Sequence, residues 1–118
     1  MQQEERNQKT KLVAEFMGFV EKDSIEKPGE KFMAKFDKDH FCEDLFYFEE
    51  GRYAELWEYL MEAWFFFLTE ARSKNMDIRK FEAGFFMGIS KKSIQKCFDT
   101  LVKAINAYKE EQHGNSEC

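Results

Sequence analysis

A chain of 118 residues fits one domain, and with 14 Phe and an apolar fraction of 43% it has the material for a core, so a wholly disordered chain is excluded. Its net charge of -5 excludes a general affinity for nucleic acid or anionic lipid, since both need a cationic surface to displace counterions. The longest apolar run, Ala63 to Leu68, is far too short for the roughly 20 residues of a membrane-spanning helix, and the N-terminus lacks the apolar stretch of a signal peptide.

Cys42, Cys97 and Cys118 are odd in number and widely spaced, unlike a secreted disulfide framework. A reducing, cytoplasmic setting is the expectation. Residues 1–9 are polar and read as a flexible tail, as do 112–118, leaving a single domain over 10–111.

Thr10 can cap a first short helix carrying Leu12, Val13, Phe16 and Met17, with Gly18 placed to end it. Residues 21–30, with the only proline at Pro28 and then Gly29, read as a loop. Phe32, Ala34 and Phe36 alternate with lysines, which predicts a half-buried strand, and Leu45 to Phe48 predicts a second. From Arg52 to Arg72 the spacing of Tyr53, Leu56, Trp57, Leu60, Met61, Trp64, Phe65 and Leu68 predicts a long central helix with these residues on its apolar side. A turn at Asn75 to Asp77 follows. The aromatic run around Phe81, Phe85 and Phe86 then predicts a third strand over 78–87, closed by Gly88. Ser90 is placed to cap a last helix whose Ile94, Phe98, Leu101, Ile105 and Tyr108 recur at three and four residues. The fold class is α+β: a sheet of about three short strands with two long helices and one short N-terminal helix packed on it.

Three segments, Lys11 to Gly18 (KLVAEFMG), Leu56 to Met61 (LWEYLM) and Leu101 to Tyr108 (LVKAINAY), resemble short uncharacterised proteins found in Bacteroidetes genomes and their phages. Those share an early IAxFMG stretch, a middle WxWLMxVVEKI helix and a final KAVVEFIKWYN helix, in that order. The chain departs from this pattern after Met61. The resemblance implies a viral or mobile-element setting and carries no activity to transfer.

Chemistry-bearing patterns are sparse. Residues 37–44 offer carboxylates beside His40 and Cys42, but an EF-hand loop starting at Asp37 would need glycine and glutamate where Cys42 and Phe48 stand. No second ligand pair completes a zinc site, so no metal and no cofactor are expected. His40 and His113 are the only histidines, and no catalytic residue is assigned.

Two surface features remain. Residues 37–70 hold ten acids against two bases, whereas residues 72–109 hold nine bases against three acids. Either the two halves neutralise each other within the fold, or they form separate faces that serve assembly or a partner. On a helical wheel Glu55, Glu58, Glu62, Phe66 and Thr69 line up with Tyr59 beside them, an acidic stripe holding large aromatics, as a protein contact surface would present. The leading expectation is therefore a non-catalytic domain that binds a protein partner or itself through Glu55, Glu58, Tyr59, Glu62 and Phe66. With the phage-like resemblance, a narrower version is an accessory or counter-defence protein. The alternative is a small anionic-ligand or nucleotide site, built at the start of the last helix from Ser90, Lys91, Lys92 and Ser93.

Overall fold

A computed structural model describes residues 3–116, and the side chains of residues 3–112. Its elements run α1 (Gln3–Phe16), β1 (Val20–Asp23), β2 (Lys31–Phe36), β3 (Cys42–Tyr47), a 3-10 turn at Phe48–Glu50, α2 (Arg52–Glu55), α3 (Trp57–Ser73), α4 (Arg79–Ser90) and α5 (Ile94–Ser116). The fold is α+β, as expected. The chain forms two compact units, Met1–Arg52 and Tyr53–Cys118.

The first unit is a helix and an antiparallel sheet in the order β1-β2-β3. Val20, Ala34 and Leu45 stand abreast across it, as do Glu21, Met33 and Phe46. The sheet's period of two sends these rows to opposite faces. Met33 and Phe46 are fully buried, with the Phe19 ring edge-on to Phe46 at 5.4 Å. Arg52 closes this core. Its guanidinium lies 4.5 Å from the Phe46 ring centroid and is hydrogen-bonded to Asp44 at 2.6 Å and to Glu50 at 3.3 Å. Burial opposes its charge, but the bonds to Asp44 and Glu50 outweigh that and hold its pKa above the ordinary value. A guanidinium suits this place because its flat face stacks while its edge donates.

α1 begins at Gln3 rather than at Thr10. Residues 3–9, expected as tail, are helical, with Lys9 paired to Glu5 one turn back and Gln3 bonded to Asn7. Residues 1–2 and 117–118 of the expected tails lie outside the described residues. β1 falls in the stretch expected as loop, where Val20-Glu21-Lys22-Asp23 shows no alternation of burial. The β2–β3 turn is built by Asp37, whose carboxylate accepts from the amides of Asp39 and Phe41 while His40 takes a φ of 68°.

The second unit is helical. Leu60, Ala63, Trp64, Phe67, Leu68 and Ala71 form the buried stripe of α3. The strand expected at 78–87 is instead α4, and the physical reason is spacing. Phe81, Phe85 and Gly88 recur at four and three residues and share one buried face, while Phe86 is 63% exposed. Phe85 lies flat on Trp64, with centroids 4.1 Å apart and planes 3° apart. The sheet does have three strands, but the third is β1.

Gly84 and Gly88 let α4 lie close against α5. A Cβ at Gly88 would fall 2.6 Å from Cys97 Sγ and 3.0 Å from its backbone nitrogen, and one at Gly84 would fall 3.2 Å from Thr100. Cys97 is buried there, donates to the Phe85 carbonyl, and has its pKa raised by burial.

Candidate docking face

The expected contact residues occupy the end of α2 and the outer side of α3. Leu56, in extended conformation (φ -116°, ψ 107°), separates the two helices, so Glu55 at the end of α2 does not continue the α3 stripe. That is a correction: the wheel carrying Glu55 onward assumed an unbroken helix. From Trp57 the wheel holds. Glu58, Glu62 and Thr69 are exposed in one row, with Phe65 on one flank and Phe66 and half-buried Tyr59 on the other. Phe65 is 59% exposed and Phe66 38%, so two large rings flank an acidic ridge in water. Sequence reasoning missed Phe65, assigning it with Trp64 to the buried side; in the helix the two are 100° apart and only Trp64 faces inward.

The ridge is not neutralised from within. Glu58 and Glu62 make no ion pair among the described residues, and neither do Lys91, Lys92, Lys96 and Lys103. The exposed acids Glu58 and Glu62 of α3 and these lysines therefore do not compensate one another through ion pairs among the described residues.

The alternative anion site loses its helix start. Ser90 is the last residue of α4, and its hydroxyl donates back to the Met87 carbonyl at 3.1 Å. Ser93 is the residue that caps α5, accepting from the Lys96 amide at 3.2 Å. Lys91 and Lys92 lie in the intervening turn, not in a first helical turn, so the four residues do not form one amide-lined pocket. The mild opposition of lysine to a helix dipole that suggested the site is absent.

Residues 37–44 supply no catalytic constellation either. Asp39, His40 and Glu43 are all exposed around the hairpin, and no group of three potential metal ligands occurs among the described residues. A cleft of about 670 Å³ in the helical unit is lined by Asp77, Arg79, Lys80, Phe81, Glu110 and Glu111 among others. One of its three acids, Asp77, is already committed. Asp77 accepts from Arg79 Nε at 3.1 Å and Nη2 at 2.9 Å, and these bonds pull its pKa down to about 2. A depressed carboxyl stabilises the fold above its unfolded value of 3.8 and loses that contribution as pH falls through about 2. The Asp77 carboxyl followed by NMR should titrate near 2, and Arg79→Ala should return it toward 3.8.

No helix among the described residues is long and apolar enough to cross a membrane. No protein-family model matches the chain, and no curated protein and no solved structure matches it significantly.

Proposed function

We propose that the protein is a non-catalytic interaction domain that docks through the outer face of α3. The observation that carries this reading is the pairing of two exposed rings, Phe65 and Phe66, with the unneutralised Glu58 and Glu62 between them. Exposed aromatics give affinity when a partner buries them, and a charged row between them selects which partner fits. A complementary surface is offered on the same unit by Lys91, Lys92, Lys96 and Lys103, which are exposed and lack ion-pair partners among the described residues. A second copy is thus the first occupant to test, with the acidic α3 of one chain against the basic side of another. On the resemblance to phage proteins, a host protein with a basic, apolar-studded surface would compete for the same face, and the chain would act by occupying it.

Sedimentation of the pure protein across concentration and salt tests the reading. Self-association that weakens as salt rises is expected, because charge contacts at an exposed interface are screened. Glu62→Lys and Phe66→Ser should each shift the chain toward monomer.

A further inference from the structure

Three helices of this protein end on the same backbone pattern. After α1, Phe19 N donates to Ala14 O and Gly18 N to Glu15 O; after α3, Met76 N donates to Ala71 O and Asn75 N to Arg72 O; after α4, Ser93 N donates to Gly88 O and Lys92 N to Ile89 O. Each is a Schellman ending, whose pivot residue must enter the left-handed region. The pivots are Gly18 (φ 99°), Asn75 (φ 58°) and Lys92 (φ 54°). Glycine has no Cβ to clash there and asparagine tolerates the conformation, whereas lysine is strained. The third ending is the exception, and a strained residue held in place by its surroundings is a pointer to use.

The Lys92 side chain lines a pocket of about 370 Å³ whose other walls are Trp57 and Met61 of α3 and Ile89 of α4. This volume falls within the range of small-molecule sites, roughly 300–1,000 Å³. Three large apolar side chains line it as a groove open to solvent, and its one ionisable wall is a cation that has no ion-pair partner among the described residues. Trp57 is partly exposed and so open to a ligand from solvent.

We propose that this pocket binds a small amphipathic carboxylate, with its acyl chain or ring against Trp57, Met61 and Ile89 and its carboxylate paired with Lys92. A neutral apolar ligand would leave the ammonium unused, and a bare inorganic anion would leave the apolar walls wet. Recognition comes from a side chain and not from free helix amides, which distinguishes it from a phosphate site at a helix start. The pocket shares Lys92 with the basic side of the docking reading, and its Trp57 and Met61 continue the α3 row of Phe65, so binding of a small probe is read separately from self-association.

The test uses octanoate and its neutral isostere octanamide, titrated into the full chain and followed by calorimetry and by the Trp57 indole N–H in NMR. Saturable one-to-one binding is expected, with octanoate favoured about two- to fivefold, the worth of a solvent-accessible ion pair. Lys92→Gly should abolish that preference, leave octanamide binding in place and raise Tm, because glycine suits the left-handed pivot. Ile89→Asp should remove binding of both. Equal affinity for the two probes, absence of saturable binding in the millimolar range, or shifts that bypass Trp57 would each overturn the proposal.

Discussion

Phe67→Ala should cost about 3–5 kcal/mol of stability, lowering Tm by more than about 10 °C, whereas Phe65→Ala should stay within about 0.5 kcal/mol of the parent. Phe67 is fully buried and its ring meets those of Trp64 at 5.6 Å, Phe81 at 6.4 Å and Tyr108 at 6.5 Å. These partners come from α3, α4 and α5, so one truncation opens a void where all three long helices of the unit meet. Such a junction relaxes poorly because each neighbour is a rigid ring held by its own contacts. Phe65 lies on the wet side of the same helix and loses no such partners. Chemical denaturation of the two variants separates core from surface on residues that adjoin in sequence.

Gly88→Ala should destabilise by about 1–3 kcal/mol even though alanine is the better helix former by about 0.5–1 kcal/mol. The new methyl would sit 2.6 Å from Cys97 Sγ and 3.0 Å from a backbone nitrogen, so a side-chain rotation alone cannot clear it and α4 must move off α5. Gly84→Ala is the control. The nearest atoms to its methyl are those of the Thr100 side chain, at 3.2 Å, and it should fall within about 1 kcal/mol of the parent as crowding and helix propensity offset each other. Adding Cys97→Ala to Gly88→Ala should recover part of the loss, because it removes the sulfur but leaves the backbone contact. A Gly88→Ala variant as stable as the parent would show that the two helices do not depend on this approach.

Helical periodicity carried α3 and α5, where one face is buried and the other is wet; alternation with lysines marked β2, although Met33 and Ala34 on its two faces are both buried, and the apolar run Leu45 to Phe48 marked β3. The error at 78–87 came from weighing aromatic content above spacing. Phe81 and Phe85 are four apart, as are Gly84 and Gly88, and both intervals belong to a helix. β1 left no trace, since its four residues are held by backbone pairing to β2 and bury little side chain. The break at Leu56 has neither proline nor glycine to announce it and moved Glu55 off the α3 face. Of the proposed contact residues, Glu58, Glu62 and Phe66 were legible from the wheel. Phe65 was not, because a run of three phenylalanines reads as core until the helix phase separates them. The lysine pivot at Lys92 was equally hidden, since a left-handed backbone is a property of how α4 ends and not of lysine.

The most direct test of the docking reading is sedimentation equilibrium of the wild-type chain beside Glu62→Lys and Phe66→Ser at low and high salt. Concentration-dependent association that falls with salt and is lost in both variants, with Tm unchanged, is the predicted result. A wild-type chain that stays monomeric at every concentration and salt, or an oligomer that both substitutions leave intact, would contradict docking of a second copy through α3.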